Sequence, residues 1–133
     1  MVYLITGKAG AGKTEYSLRL YKEMEAEGFQ VVRIDGDDFR VTTKNADYSD
    51  EGRIKNLISA AQLAAKLELE GNIVLMSFIA PRREWRNEMR KLWRKSRVIY
   101  VPGGRLWEGT TYDRPDEEEL NIKINDYGSK NDS

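Results

Sequence analysis

The sequence contains no histidine and no cysteine among its 133 residues, and these absences exclude several kinds of active site. Without histidine there is no imidazole base, no Ser/His/Asp triad and no His-ligated zinc. Without cysteine there is no disulfide, thiol nucleophile or thiolate metal site. Any metal must therefore be a hard cation bound by oxygen ligands, and any general base must be a carboxylate, a lysine or a tyrosine.

Long apolar runs are absent as well. The longest lies between Asn72 and Pro81 and is far shorter than the ~20 residues that a membrane-spanning helix needs. The first residues, MVYLITG, have no charged segment before their apolar stretch, so they predict a strand and not a signal peptide. We therefore expect a cytoplasmic chain without a membrane partner.

The charges balance in number, with 22 basic and 22 acidic residues, but they are unevenly distributed. Eight basic residues lie between Arg82 and Arg97, against only Glu84 and Glu88. From Glu108 onward, eight acidic residues face three basic ones. The pattern predicts a basic helix and an acidic tail.

Short apolar segments alternate with amphipathic ones along the chain. The apolar segments predict strands at 2–6, 30–34, 72–78 and 97–101, with a possible last strand at 120–124. Helices are predicted at 13–27 and 50–70, a third is opened by Pro81, and a polar loop of about fifteen residues follows the second strand. This alternation predicts an α/β fold with a parallel sheet of four to five strands. We expect a single domain over residues 1–125 and a flexible tail at 126–133.

A glycine-rich segment after the first strand matches the phosphate-binding pattern G-x-x-x-x-G-K-T/S. Glycines allow successive backbone N–H groups to turn toward phosphate oxygens, and the following helix presents its positive end to them. Lys13 would reach the β- and γ-phosphates and Thr14 would coordinate Mg²⁺. The segment therefore predicts a three-layer P-loop NTPase/kinase fold that binds nucleotide phosphates, with ATP and Mg²⁺ as the expected cofactors. Its predicted ATP-binding residues are Gly7, Lys8, Ala9, Gly10, Ala11, Gly12, Lys13 and Thr14.

An acidic turn, DGDDFR, follows the second predicted strand and would lie at the same edge of the sheet. Because histidine is absent, Asp37 is the natural base for a hydroxyl proton, and it joins Lys13 as a predicted catalytic residue. Arg40, three residues on, would hold an anion of the substrate. Thr14 and Asp35 are the predicted Mg²⁺ ligands, with Asp37 as the alternative to Asp35.

Four collinear blocks of sequence resemble adenylylsulfate (APS) kinases, which are P-loop enzymes that phosphorylate the 3′-hydroxyl of APS with MgATP. The blocks are the phosphate loop, DGD-x-x-R, Tyr48-Ser49-x-x-x-Arg53-x-x-Asn56, and Ser77-Phe78-Ile79-Ala80-Pro81-x-Arg83. The tail from Tyr112 to Leu120 also resembles the family's Y-x-x-P-x-x-P-E segment. Together these matches extend over residues 2–122.

The resemblance implies roles for individual residues. Asp37 would be the base near the acceptor hydroxyl and the γ-phosphate, and Tyr48 would stack on the purine of the acceptor. The backbone of residues 79–81, beginning at Ile79, would line the acceptor pocket. Arg40, Arg53 and Asn56 would hold the anionic part of the acceptor, and Arg83 is the remaining predicted substrate-binding residue.

The sequence also departs from the family pattern. The Lys/Arg-rich stretch K-G-L-Y-x-K-A-R, which follows the fourth strand of APS kinases as a lid, is missing, and Arg105 is the only cation between Val101 and Trp107. Ala80 replaces a serine, Arg82 a tyrosine and Gly52 an aspartate. These departures leave the acceptor open.

Four arginines in the basic segment recur at three- and four-residue spacing and would share one face of a helix. This face could be solvated, could bind phosphates or nucleic acid, or could pair with the acidic residues 116–119. Its members are Arg83, Arg86, Arg90 and Arg94. Two alternatives to an APS-kinase-like enzyme thus remain: a polynucleotide or modified-DNA-base hydroxyl kinase, and a nucleotide-binding module without catalysis. The sequence does not predict the oligomeric state.

Overall fold

A computed structural model describes residues 1–43, 49–106 and 111–120. The first half of the chain forms β1 (Val2–Thr6), α1 (Lys13–Ala26), β2 (Val31–Asp35), α2 (Gly36–Thr43) and α3 (Asp50–Leu69). The second half forms β3 (Ile73–Phe78), α4 (Arg83–Arg90), β4 (Ser96–Tyr100) and α5 (Glu117–Leu120). No helix in the described part of the chain is long and apolar enough to cross a bilayer.

The strands form one four-stranded parallel sheet in the order β2-β3-β1-β4. Thr6 pairs with Phe78 and Tyr100, and Asp35 pairs with Ser77, so all four strands end at the same level. The segments that follow the strands therefore meet at one edge of the sheet, where ligands bind in folds of this class.

Helices cover both faces of this sheet. One face, which includes Leu4 and Met76, packs against the alanine-rich side of α3 and against Met89 and Trp93 in the main hydrophobic core. The indole N–H of Trp93 donates to the carbonyl of Ala61 at 2.9 Å. On the opposite face α1 packs against the sheet, since Arg33 Nε donates to Ser17 Oγ at 2.9 Å. The predicted three-layer α/β fold is confirmed.

The segment after β2 differs from the prediction, because residues 36–43 form α2 in place of a loop. The carboxylate of Asp35 accepts a hydrogen bond from the N–H of Asp37 at 3.2 Å and so satisfies one free donor of the first turn. Asp37 and Asp38 also place negative charge at the positive end of the helix.

The C-terminal part of the chain also differs from the prediction. Helix α4 ends at Arg90, so Arg94 does not share its face. Leu120, predicted to begin a last strand, is the final residue of α5. Residues 121–133 lie outside the described part, and the proposed domain division at residue 125 stays a prediction.

Candidate functional site

The phosphate loop connects β1 to α1 and requires glycine at specific points. A Cβ atom at Gly7 would lie 2.5 Å from the carbonyl oxygen of Val101, which is closer than side chains tolerate. Gly12, the residue before α1, has φ of 103°, in the left-handed region that favours glycine. The loop therefore brings its backbone close to the end of β4 and turns sharply into α1, as a phosphate cradle requires.

Lys13 begins α1 and lines the cleft formed at the ends of the strands. Its Nζ donates to the carbonyl of Lys8 at 2.8 Å, which holds the ammonium over the loop. Burial lowers the pKa of Lys13, while the carboxylates of Asp35 and Asp37 oppose that shift. The ammonium thus lies between the loop and the two aspartates, where it can contact a phosphate chain.

Thr14 and Asp35 meet beside the loop. The Thr14 hydroxyl donates to Asp35 Oδ2 at 2.8 Å, and Oδ1 of the same carboxylate accepts from the N–H of Asp37. Mg²⁺ usually binds through one or two protein oxygens, with phosphates and water completing the shell. A hydroxyl and a carboxylate at this distance fit that requirement. Groups of three or more acidic residues able to cage a metal are absent from the described part of the chain.

The segment after β4 forms one wall of the phosphate loop. Arg105 N–H donates to the carbonyl of Ala9 at 2.9 Å in an isolated antiparallel bridge. At Gly104, with φ of 80°, a Cβ atom would lie 2.6 Å from the same carbonyl oxygen. Residues 104–105 therefore lie directly on the loop and hold its conformation.

The phosphate loop opens into a cleft of about 640 Å³. Its second half lies between α3, the end of β3 and the start of α4, and is lined by Arg53, Asn56, Leu57, Ser77, Phe78, Ile79, Ala80, Pro81, Trp85 and Thr111. The Arg53 guanidinium lies 5.9 Å from the centre of the Trp85 ring. Among the described residues, the buried atoms Asn56 Oδ1 and Ser77 Oγ have no hydrogen-bond partner. We call this half the acceptor half of the cleft.

The matching family model and the two relatives described below agree on one family. A family model described as adenylylsulphate kinase matches residues 1–102. A probable adenylyl-sulfate kinase of Archaeoglobus fulgidus is 36% identical over 100 residues, covering 74% of this chain and 64% of the relative. A probable adenylyl-sulfate kinase of Aeropyrum pernix is 36% identical over 102 residues, covering 76% of this chain and 56% of the relative. The chain belongs to the adenylylsulphate kinase family.

A solved structure supports the fold of this family member. The APS kinase of Mycobacterium tuberculosis, determined in complex with AMPPNP and APS, superposes with a TM-score of 0.71 at 24% identity, covering 75% of this chain and 61% of that one. At this identity the likeness concerns the fold alone. The chain spans between about half and two thirds of the length of the relatives to which it is similar.

The structure brings most of the residues expected from the family resemblance into one cleft. All residues of the phosphate loop except Gly7 and Ala11 line it, together with Asp35 and Asp37. Arg53, Asn56 and Ile79 line the acceptor half. Tyr48 and the side chain of Arg40 lie outside the described part of the chain, so their predicted roles stay predictions.

Arg83 is not among the residues that line the cleft. It forms ion pairs with Asp116 at 2.8 Å and Glu118 at 3.3 Å. Among the sequence-based alternatives for the arginine face, the pairing with residues 116–119 is therefore the one observed. A role for Arg83 in substrate binding stays a prediction.

The four arginines do not form one exposed face, so the structure does not support the alternative of nucleic-acid binding through them. Arg86 and Arg90 are 0% and 1% exposed, and Arg94 lies beyond the end of α4. A buried guanidinium cannot contact a phosphate backbone, which binds at solvent-exposed cations.

Trp85 and Thr111 are cleft residues that the sequence analysis does not single out. The half-buried ring of Trp85 lines the acceptor half. The sequence carries a signal for it, because the first turn of a helix that follows a parallel strand lies at the ligand-binding edge of the sheet. Thr111 lies beyond the part of the chain that the family model matches, and no sequence pattern indicates its position.

Proposed function

We propose that this chain transfers the γ-phosphoryl group of MgATP to a hydroxyl group, and that its acceptor is adenylylsulfate, phosphorylated at the 3′-hydroxyl. The observation that carries the proposal is the arrangement around the Asp35 carboxylate. One oxygen accepts from Thr14 at the phosphate loop, and the other accepts from the N–H of Asp37 at the entrance to the acceptor half. A metal ligand and a base are thereby fixed side by side.

The phosphate loop and the two aspartates have different roles in the proposed phosphoryl transfer. Lys13 and the N–H groups of the loop hold the terminal phosphate charge. Asp37 takes the proton of the acceptor hydroxyl while the acceptor oxygen forms a bond to the γ-phosphorus and the bond to the leaving ADP oxygen breaks. Thr14 and Asp35 would hold Mg²⁺, which would neutralise the negative charge of the phosphates when bound.

The acceptor half carries groups that suit a nucleotide bearing an anionic substituent. Arg53 supplies a cation, and its guanidinium with the Trp85 ring offers a surface for a planar base. Asn56 Oδ1 and Ser77 Oγ offer hydrogen-bonding atoms within the walls. The family membership and the similarity to probable adenylyl-sulfate kinases support adenylylsulfate as the acceptor.

The proposal is tested by a transfer assay with γ-labelled ATP over a panel of acceptors: adenylylsulfate, nucleosides, sugars and DNA with free hydroxyl groups. We expect label only on adenylylsulfate, at its 3′-oxygen. Asp37→Asn is expected to lower kcat by about 10²-fold or more, as loss of a general base does, with unchanged affinity for AMPPNP. Asp38→Asn, which removes the neighbouring exposed carboxylate, is the matched control.

Three results would contradict the proposal. Labelled DNA with inert adenylylsulfate would assign a nucleic-acid hydroxyl kinase. Binding of ATP without transfer to any acceptor would assign a nucleotide-binding module. Equal loss of activity in the Asp37 and Asp38 variants would remove Asp37 from the role of base.

A further inference from the structure

Residues 111–120, which we call the clasp, lie beyond the stretch that the family model matches but pack against it. The Tyr112 ring stacks on Tyr100 of β4 with ring centres 6.1 Å apart, and Pro115 is buried. Leu120 packs against the main hydrophobic core. The clasp is thus an integral part of the fold.

A buried ion pair joins the clasp to α4. Arg86 Nε donates to Glu119 Oε2 at 2.6 Å, and Nη2 donates to Oε1 at 3.0 Å, with both side chains 0% exposed. A bidentate pair of this kind has one well-defined geometry. It is oriented further by Asp116, whose Oδ1 accepts from the N–H of Glu119 at 2.9 Å.

The same guanidinium reaches the wall of the acceptor half. Arg86 Nη1 donates to the carbonyl of Ala80 at 2.8 Å, and Nη2 donates to the carbonyl of Asp113 at 2.8 Å. One side chain therefore links the wall at Ala80 to both ends of the clasp.

Three consecutive carbonyls in that wall accept hydrogen bonds. Ile79 accepts from the hydroxyl of Thr6, which also contacts the Tyr112 hydroxyl at 2.9 Å. Ala80 accepts from Arg86, and Pro81 accepts from the N–H of Asp113 at 2.6 Å. Each of these three bonds is made by the clasp or by a residue that contacts it.

The wall adopts a backbone conformation that requires such support. Ala80 has φ of 42°, and it is the only described residue other than glycine with positive φ. A residue with a Cβ atom keeps this conformation only where its surroundings impose it. Hydrogen bonds at carbonyls 79, 80 and 81 are well placed to impose it.

We propose that the clasp is a positioning element for acceptor binding, and that Arg86 is the positioning residue through which Glu119 sets the wall at residues 79–81. The acceptor half then depends on a segment outside the family match, whereas the phosphate loop does not. The inference rests on the proposed function for the identity of the acceptor. Amide exchange at residues 79–86, however, can be measured in the absence of any acceptor.

The test compares Glu119→Gln with Glu118→Gln in the whole chain. Glu118 is the matched control because its carboxylate is 82% exposed and, within the described part of the chain, pairs with the outer arginine, Arg83. For Glu119→Gln we expect the KM for adenylylsulfate to rise about tenfold or more, as misplacement of binding groups predicts. The affinity for AMPPNP should stay unchanged, and amide exchange should accelerate in a peptide covering residues 79–86 but not in one covering residues 7–14.

A second variant guards against loss of folding, since an unpaired buried arginine is strongly destabilising. The double variant R86M/E119M replaces the ion pair with apolar side chains, which often preserves stability. It still removes the donor from the Ala80 carbonyl. We expect a folded chain with fast exchange at residues 79–86 and a raised KM for the acceptor.

The outcomes separate the two proposals. Unchanged exchange at residues 79–86 in folded Glu119→Gln or R86M/E119M would overturn the positioning role, whatever the acceptor is. So would an unchanged KM for adenylylsulfate in those variants. If exchange at residues 79–86 is faster in these variants but the wild-type chain does not phosphorylate adenylylsulfate, the proposed acceptor is overturned. The clasp would then still position the wall.

Discussion

At the scale of single residues, the site depends on how one carboxylate is shared. The two oxygens of Asp35 accept from different partners, Thr14 and the N–H of Asp37. Arg33 Nη2 lies 3.7 Å from Asp35 Oδ2 on the side of the sheet covered by α1. Asp35 thus joins the proposed metal site to the first turn of α2, so a change at Asp35 should act on metal binding before it acts on the acceptor.

We expect Asp35→Asn to raise the Mg²⁺ concentration required for half-maximal activity by about tenfold to a hundredfold, as loss of a metal-orienting group does. The amide retains hydrogen bonding to Thr14 but lacks the negative charge that attracts the cation. A magnesium titration at fixed ATP measures the effect. Asp38→Asn should leave the titration unchanged, and an identical shift in both variants would mean that only the general loss of charge matters.

Trp85 gives a second prediction at this scale. Its ring lines the acceptor half with the Arg53 guanidinium 5.9 Å from its centre, a contact worth about 0.5–2 kcal/mol. Trp85→Ala should therefore raise the KM for the acceptor several-fold without changing AMPPNP affinity, as steady-state kinetics and calorimetry would measure. Trp85→Phe, which keeps an aromatic ring, should restore most of the affinity; no recovery would contradict a stacking role.

At the scale of elements, the strands and long helices follow from the sequence, while contacts between distant segments do not. Apolar segments, and glycines that end helices, predict the bounds of β1, β3 and α3 to within a residue or two, because these patterns are local. Helix α2 was missed because its start depends on the side chain of Asp35, which also closes a strand. The sequence offered the pairing of Arg86 with residues 116–119 as one of three alternatives and could not choose among them, since its partner Glu119 is 33 residues away.

The segment after β4 contains two adjacent glycines, of which Gly104 contacts the phosphate loop and Gly103 does not. Gly103 and Gly104 both have positive φ, at 96° and 80°, but only at Gly104 would a Cβ atom meet the phosphate loop. Gly104→Ala should therefore reduce the free energy of unfolding by about 1–3 kcal/mol more than Gly103→Ala, since overpacking adds to backbone strain. Urea unfolding measures the difference.

The affinity for nucleotide should differ between the variants of these two glycines. Because residues 104–105 lie on the loop through the Ala9 carbonyl, Gly104→Ala should also weaken AMPPNP binding, whereas Gly103→Ala should not. Equal affinities in the two variants would mean that the segment contacts the loop without shaping it.

At the scale of the whole molecule, the clasp adds a pH dependence to stability. Burial raises the pKa of Tyr112 to about 12, although its hydrogen bond with Thr6 and the nearby Arg86 oppose the shift. The folded chain thus holds this proton more tightly than an unfolded chain, in which a tyrosine has a pKa of 10.0. The resulting stabilisation is complete below pH 10 and is lost as the pH rises toward 12.

We therefore expect the free energy of unfolding to fall between pH 10 and pH 12 more steeply in the wild-type chain than in Tyr112→Phe. Denaturant unfolding at several alkaline pH values measures both slopes. Tyr16→Phe removes a hydroxyl from α1, away from the clasp, and should retain the wild-type slope. Parallel slopes for the wild-type chain and Tyr112→Phe would show that another group controls the alkaline loss of stability.

The order of the strands has a consequence for synthesis on the ribosome. The strand made first, β1, lies in the middle of the sheet, and both of its neighbours, β3 and β4, emerge at least 65 residues later. Strand β2 also waits for β3. A nascent chain that stops before residue 73 therefore holds two strands without partners, and such exposed edges invite chaperones and aggregation. The phosphate loop is complete when residues 104–105, which lie on it, have left the exit tunnel, and the wall of the acceptor half is complete only when Glu119 follows.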